Sequence, residues 1–110
     1  MDNQLKVSTE LLRGHVETII LKLLIEQDRY GYEICKQITL NSNNQFELKE
    51  ATLYASLRRM EQDQKIVAYW GDETSGGRRK YYSITETGKS TYSNNKLNWE
   101  YAKQILDKLI

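Results

Sequence analysis

Apolar residues in the first third of the chain recur with the period of an α-helix. Between Thr9 and Glu26 they fall three or four positions apart, which predicts one helix with one buried face. Gly31 can absorb a turn, after which a similar spacing predicts a second helix that the asparagine-rich stretch 40–45 ends. The residues predicted to face the core are Leu12, Val16, Ile19, Ile20, Leu23 and Leu24 in the first helix, and Tyr32, Ile34, Cys35 and Ile38 in the second.

A third helix is predicted from about Glu50 to Gln64, with one apolar and one polar face. Each face is marked by three residues spaced four and three positions apart, so the polar set is expected to project together, away from the core. The apolar set is Leu53, Leu57 and Met60, and the polar set is Thr52, Ser56 and Arg59.

The period changes after residue 65. Residues 66–70 and 80–84 are short runs of β-branched and aromatic residues separated by a turn-rich segment, which predicts a β-hairpin. Three short helices followed by a hairpin are the order of a winged helix-turn-helix, whose third helix enters the major groove while the hairpin, or wing, flanks it. The predicted fold is therefore mainly α with a small β-hairpin, and this DNA-binding domain would span residues 1–84.

Residues 85–110 predict a single C-terminal dimerisation helix. Thr85 can cap it, with Glu86 in its positively charged first turn. Six residues alternate three and four positions apart as a heptad seam, which a helix after a complete domain cannot bury within so short a chain. A second copy of the chain would bury it. The seam is Tyr92, Asn95, Trp99, Ala102, Leu106 and Leu109.

Composition narrows the class of protein. A hydrophobic fraction of 39% and a charged fraction of 28% are ordinary for a folded globular protein. A net charge of +1 gives no global argument for nucleic acid, so a DNA-binding prediction depends on local basic clusters. The single cysteine, Cys35, excludes an internal disulfide, and no targeting or membrane-spanning segment is visible. The expected location is the cytoplasm, without a membrane partner.

The wing carries the strongest functional signal. Its three consecutive cations follow Gly76 and Gly77 and could meet phosphates or enter a minor groove, although a solvated strand end has the same appearance. Polar residues of the third helix could reach phosphates or base edges, and its tyrosine could donate to a phosphate. The candidate DNA-binding residues are Arg78, Arg79 and Lys80 in the wing, and Lys49, Thr52, Tyr54, Ser56 and Arg59 in the third helix.

Catalytic chemistry has little support. His15 is the only histidine, so together with Cys35 it cannot supply the four ligands of a structural zinc site. Spacing alone leaves a Cys–His nucleophile pair open, but no activating group, phosphate-binding loop or carboxylate pair accompanies it. The sequence therefore predicts no enzyme, no metal and no cofactor.

Two long stretches, FELKEATLYASLRRMEQDQKI and YWGDETSGGRRKYYSITETGK, resemble the core signature of PadR-family transcriptional regulators. The combination of ATLY in a recognition helix with GGRRKYY in a wing is more specific than either piece alone. The resemblance covers roughly Leu11 to Gly88, and it implies a homodimer that represses a nearby gene and, in some members, releases DNA when a small molecule binds. The short last helix is similar to the compact branch of the family, in which a tryptophan matching Trp99 stacks planar ligands between subunits.

At the predicted interface Trp99 either packs across the dimer or stacks on a small aromatic ligand. Lysines 22, 96 and 103 outnumber glutamates 17 and 100 around it, so a ligand is expected to be neutral or anionic. Gln64 stands where many family members have glycine and would have to adopt a left-handed conformation. The interface residues predicted are Leu11, Thr18, Tyr92, Asn95, Trp99, Ala102, Lys103 and Leu106.

Two functions of different classes follow. In the leading one, a dimer places two third helices in successive major grooves, about 34 Å apart, on a pseudo-palindromic promoter site and excludes polymerase. A ligand between the subunits would change that spacing and release the DNA. In the alternative, the winged helix binds another protein and never touches DNA. Salt dependence separates the two, because phosphate contacts weaken steeply with salt.

Overall fold

The structure is a computed structural model that describes residues 7–71 and 78–110. It confirms the predicted fold class, a mainly helical winged helix-turn-helix with a small antiparallel sheet and a long C-terminal helix. In chain order the elements are α1 (Thr9–Leu12), a 3-10 turn (Arg13–His15), α2 (Val16–Glu26), β1 (Arg29–Tyr30), α3 (Gly31–Asn41), α4 (Glu50–Gln62), β2 (Ile66–Trp70), β3 (Lys80–Ile84) and α5 (Glu86–Leu109).

The predicted first helix is interrupted, so the prediction of one continuous helix is wrong. A 3-10 turn separates α1 from α2, and its last residue, His15, has φ −110° and ψ 0°, outside the helical range. Gly14 lies within this turn and costs helix stability, because glycine has the most backbone freedom to lose. The apolar spacing continues across the turn, which is why periodicity alone did not reveal the break.

The central element of the core is α2. Its predicted residues Ile20, Leu23 and Leu24 are buried, and Leu21, which was not predicted, has an exposed fraction of 0%. Leu21 is buried because α3, α4, α5 and β3 all pack around α2. The exposed side of α2 is narrow, with Lys22 and Glu26 on it, so the buried face is wider than the stripe that the spacing indicated.

The second predicted helix begins one residue earlier than expected, since Gly31 is its first residue and not a turn before it. A Cβ atom at Gly31 would overlap the hydroxyl of Tyr54, so glycine serves a close approach between α3 and α4. Tyr32 is 61% exposed, and its assignment to the core is therefore wrong. The helix ends as predicted, with Asn43 and Asn44 in the left-handed region at φ 55° and 64°.

The sheet has three strands in the order β1-β3-β2, where the sequence predicted a two-stranded hairpin. The added strand, β1, pairs Arg29 with Tyr82 and Tyr30 with Tyr81. Two residues are too short to show a strand period. Arg29 is nevertheless well held, because its Nε donates to the Leu23 carbonyl at 3.1 Å and its Nη2 to Glu26 at 2.9 Å.

The base of the wing joins α4 to α5. Gln64 has φ 61°, which confirms the left-handed conformation predicted there, and α4 ends before it at Gln62. Thr85 caps α5 as predicted: its Oγ1 accepts from the Gly88 amide at 3.0 Å and donates to the Gln64 carbonyl at 2.8 Å. The start of α5 is thereby fixed to the end of α4.

The first half of the α5 seam is packed within the chain, so the prediction that the whole seam lacks an internal partner is wrong. Asn95 Nδ2 donates to Thr18 Oγ1 of α2 at 2.9 Å, and Tyr92 packs against the core. The second half is open, with Leu106 at 52% and Leu109 at 73% exposure. The division of the chain at residues 84 and 85 stays a prediction.

Candidate nucleic-acid interface and the pocket beside Trp99

The helix α4 presents an apolar face to the core and a basic face to solvent. Leu53, Leu57 and Met60 are buried as predicted. Ser56 is only 4% exposed, so the prediction that it projects away from the core is wrong. It lies three residues after Leu53, which places it about 60° around the helix and therefore beside the apolar stripe.

Helix geometry also identifies an exposed cation that the sequence analysis missed. Leu53, Leu57 and Met60 define the inward direction of α4, and Arg58 and Arg59 are both exposed at about 130° from it, on opposite sides of the helix. Thr52 lies on the same side as Arg59. Arg58 was missed because the search followed the spacing of one polar row and did not start from the direction opposite to the core.

The Arg59 side of α4 borders a groove of about 710 Å³ that runs to the start of α2. Lys49, Thr52, Ser56 and Arg59 all line it, so the structure does bring these four predicted residues together. Across the groove Glu17 accepts from Lys65 Nζ at 3.1 Å. Lys49 and Arg59 therefore share their groove with two carboxylates, Glu17, which pairs with Lys65, and Glu47.

Tyr54 lies between the core and the solvent. It is 39% exposed, and its hydroxyl group lies against Gly31 at the start of α3. Burial raises the pKa of Tyr54, with Glu50 and Cys35 adding to the effect. The hydroxyl therefore keeps its proton and remains a hydrogen-bond donor, the form that a contact to phosphate requires.

The predicted wing cations lie on exposed positions, each over an aromatic ring. Arg78 is 5.6 Å from the ring centre of Trp70, Arg79 is 4.7 Å from that of Tyr30, and Lys80 is 5.8 Å from that of Tyr82. Gly76 and Gly77, expected to let the wing approach DNA, lie outside the described residues. The cations are therefore oriented by the sheet beneath them.

The wing cations divide between the two faces of the sheet. Lys80 lies two residues before the buried Tyr82 and opposite Trp70, so its side chain is on the face of the sheet that is turned to the core. Arg78 lies over the same Trp70 ring. Burial raises the pKa of Tyr82; the charge of Glu61 in α4 raises it further, and that of Arg58 lowers it. Arg79 lies on the other face.

That other face carries a row of four tyrosines. Tyr81 at its centre has its ring centre 5.7 Å from that of Tyr69, stacked, and 5.5 Å from that of Tyr30, edge-on. Tyr30 in turn stacks on Tyr32 at 6.5 Å. The hydroxyl of Tyr69 donates to Asp28 at 2.5 Å, and this hydrogen bond raises the pKa of Tyr69. The sequence analysis missed this row because β1 was missed.

A cavity of about 380 Å³ lies between α5 and the α1–α2 junction. One wall is Trp99, 43% exposed, whose ring meets His15 edge-on with 6.4 Å between ring centres. Lys22 and Lys96 also line it, and among its described lining residues none is acidic. Lys22 is bonded to Glu26 at 3.1 Å, so Lys96 contributes the larger uncompensated charge. The remaining lining residues are Leu11, Leu12, Thr18, Ile19 and Tyr92.

A second groove of about 670 Å³ continues along the open half of α5. Between them the two cavities are lined by every one of the eight predicted interface residues. Lys103 lies 4.4 Å from the ring centre of Trp99 and pairs with Glu100 at 3.4 Å. Leu11, Thr18 and Trp99 line both cavities, Tyr92 lines only the first, and Asn95, Ala102, Lys103 and Leu106 line only the second.

Other chemistry is limited in the part of the chain that the structure describes. Cys35 packs against the core, its thiol donates to the Leu48 carbonyl at 3.5 Å, and burial raises its pKa. Across residues 7–71 and 78–110, no group of three or more His, Cys, Asp or Glu could hold a metal ion. Nor does any helix in those ranges have the length and apolar character to cross a membrane.

These features define a winged helix-turn-helix protein, with α3 and α4 as the helix pair and β2 and β3 as the wing. The model of the transcriptional regulator PadR-like family matches residues 20–94, more than half of the chain. The chain therefore belongs to the PadR-like family of transcriptional regulators, as the resemblance in its sequence indicated. Regulators of this family bind DNA.

Relatives agree with this assignment. Over 101 residues the chain is 48% identical to an uncharacterized protein of Lysinibacillus sphaericus, covering 92% of this chain and 93% of the relative. Its fold is similar to that of a transcriptional regulator from Clostridium thermocellum, with TM-score 0.88, 42% identity and coverage of 94% and 98%. A PadR family transcription regulator from Clostridium difficile has TM-score 0.76, 38% identity and coverage of 87% and 98%.

Proposed function

We propose that the protein is a homodimeric repressor that binds a pseudo-palindromic promoter site through α4 and the wing. The observation that carries this proposal is a basic surface that both elements present to solvent. Arg58 and Arg59 of α4 are exposed, and each of the three exposed wing cations lies over an aromatic ring of the sheet. Such a surface follows the phosphates on both sides of a major groove that α4 enters. Occupancy of a promoter excludes polymerase.

Dimerisation through α5 is supported by the apolar residues in its open half. Leu106 and Leu109 are more than half exposed, and Leu11, which lines the same groove as Leu106, is 73% exposed. A contiguous apolar surface of this kind is unfavourable in water and favours burial against a second copy. Two copies related by a twofold axis would present two α4 helices to one face of DNA, which accounts for a pseudo-palindromic site.

Release by a small aromatic ligand is the third part of the proposal. The cavity beside Trp99 is concave, largely apolar and lined by Lys22 and Lys96. A planar ligand could stack on the indole while its anionic or polar group approaches Lys96. Since the cavity borders the dimerisation surface, binding would favour one spacing of the two α4 helices over another.

We also propose that the chain has no catalytic activity. A nucleophilic cysteine needs thiolate character, whereas burial raises the pKa of Cys35 and holds it in the thiol form. His15 lies instead beside Trp99.

The decisive test is fluorescence anisotropy with duplexes that the protein selects from a randomised library, between about 50 and 200 mM salt. We expect tight, selective binding that weakens with salt. The double variant Arg78→Ala, Arg79→Ala should reduce the magnitude of the slope of log affinity against log salt by about two for each protomer, and so by about four for the dimer. As a control, Lys89→Ala, Lys108→Ala removes the same charge from α5 and should leave the slope unchanged.

The competing function, a winged helix that binds only protein, predicts a different result. Binding would then be weak, equal for every duplex and unaffected by the wing variant. That result would overturn the proposed DNA-binding surface.

A further inference from the structure

We infer that Tyr30 is a positioning residue for DNA binding, which holds the wing cation Arg79 over its ring before DNA arrives. The inference rests on the proposed DNA-binding surface and adds to it a residue that lies outside that surface. Arg79 is the wing cation on the tyrosine face of the sheet, and its guanidinium carbon lies 4.7 Å from the centre of the Tyr30 ring. An arginine over an aromatic face at this distance is attracted by the ring quadrupole.

The ring of Tyr30 is itself held from several sides. Its backbone pairs with Tyr81 in the sheet, and its ring meets the Tyr81 ring edge-on at 5.5 Å. Tyr81 is stacked on Tyr69, whose hydroxyl is bonded to Asp28. Arg79 therefore lies on a ring whose position is set by three strands, unlike an arginine that contacts one mobile surface side chain.

The backbone of Arg79 is held at a second point. Its carbonyl accepts from the Gly71 amide at 2.8 Å, one residue beyond the last pair of β2 and β3. A Cβ atom at Gly71 would lie 2.6 Å from Cε1 of Tyr81, so glycine allows the central tyrosine to pack against the strand end. The hydrogen bond from Gly71 thus holds the main chain of Arg79 beside Tyr81, and the ring of Tyr30 orients its side chain.

Preorganisation of this kind favours binding, because less side-chain freedom remains to be lost when a phosphate is contacted. Stacking uses the flat face of a guanidinium whereas phosphates bind its N–H edge, so the two interactions are compatible. A cation–π contact at an exposed site corresponds to about two- to fivefold in affinity. Tyr30 would contribute that factor without touching DNA.

The test is a double-mutant cycle measured by anisotropy on the selected duplex. Tyr30→Leu removes the π face while keeping an apolar side chain of moderate size, and it should weaken binding about two- to fivefold for each protomer that contacts the DNA. Tyr30→Phe keeps the ring and should bind like the parent. In the Arg79→Ala background Tyr30→Leu should have no further effect, because the cation that it positions is gone.

Two further measurements separate positioning from structural damage. Tyr101→Leu removes an exposed ring of α5 that is not part of the tyrosine row, and it should leave affinity unchanged. Thermal unfolding of each variant reports damage to the fold directly. If Tyr30→Leu unfolds the wing, Tyr30→Met, which has a longer apolar side chain and no π face, replaces it in the same cycle with Arg79→Ala and should show the same loss only when Arg79 is present.

The outcomes also distinguish this inference from the proposed function. If the parent protein selects no duplex, the proposed function fails and this inference fails with it. If the parent binds selectively but Arg79→Ala has no effect, or Tyr30→Leu weakens binding equally with and without Arg79, only the positioning role is overturned.

Discussion

The wing and the C-terminal half of α5 both place a cation over an aromatic ring, yet their surroundings differ. In the wing, Arg79 lies over Tyr30, a ring held in the sheet by Tyr81. In α5, Lys103 lies 4.4 Å from the centre of the Trp99 ring, which is 43% exposed beside two open cavities. The described wing cations lie over rings of their own chain, whereas Leu106 and Leu109 in this part of α5 stay more than half exposed.

The largest expected effect comes from a charge on the open half of α5. Leu106→Glu should weaken self-association about a hundredfold or more, because a buried carboxylate without a partner is costly at an interface, while a half-exposed site tolerates it in the monomer. Sedimentation velocity over a range of concentrations measures this.

The matched control for that variant is Leu97→Glu. Leu97 is 68% exposed on α5 and lies about 160° around the helix from Trp99. It should leave the association unchanged. Equal effects of both substitutions would contradict an interface formed by the Trp99 side.

A smaller effect is expected at α4, in the part of the molecule that also carries the wing. Arg58→Ala should weaken specific DNA binding about tenfold, as loss of a direct arginine contact does. The effect should exceed that of Arg59→Ala, because Arg59 lines the groove that holds Glu17 and Glu47 whereas Arg58 does not. Anisotropy on the selected duplex and on a scrambled one distinguishes lost specificity from lost charge. If Arg59→Ala weakened binding more than Arg58→Ala, α4 would approach DNA with the side that borders the groove.

The pocket beside Trp99 should discriminate ligands by charge about five- to tenfold. Quenching of indole fluorescence in a Trp70→Phe background, which leaves Trp99 as the only tryptophan, should give tighter binding for an anionic naphthalene sulfonate than for a cationic planar dye. Lys96→Gln should reduce the difference. Tighter binding of the cation would overturn the expected ligand chemistry.

The smallest effect concerns stability at the base of the wing. Gln64→Gly should raise the free energy of unfolding by about 0.5–1 kcal/mol, because glycine adopts φ 61° without strain but has more freedom to lose on folding. Denaturant unfolding measures it. Gln62→Gly, at the last residue of α4, is the control and should destabilise; a loss of stability in both variants would contradict the strain at Gln64.

Much of the fold could be predicted because the decisive signals are local. The spacing of Leu53, Leu57 and Met60 identified α4, the asparagines ended α3, and Thr85 marked the cap of α5. Ser56 was misplaced because the border of a buried stripe depends on how closely neighbouring elements approach the helix, which spacing does not encode.

The sequence could propose which residues belong to the candidate site, but it could not predict how they are arranged in space. The three wing cations were recognised as a cluster, yet their division between two faces depends on the register of β3 with β2 and β1. In the folded chain the eight predicted interface residues line two neighbouring cavities. The hydrogen bond from Asn95 to Thr18 could not be anticipated, because it joins residues that are far apart in the chain.

The sequence by itself determined the order of elements, the basic wing and the membership of a regulator family, because periodicity, capping and short motifs depend on neighbouring residues. Only the tertiary structure decided that Leu21 is buried in the core and that Arg29 and Tyr30 add a third strand. It alone also decided that α5 is packed in its first half and open in its second, and that Arg79 lies over the ring of Tyr30. Each of these depends on contacts between residues distant in sequence, whose energies arise only when the chain has folded.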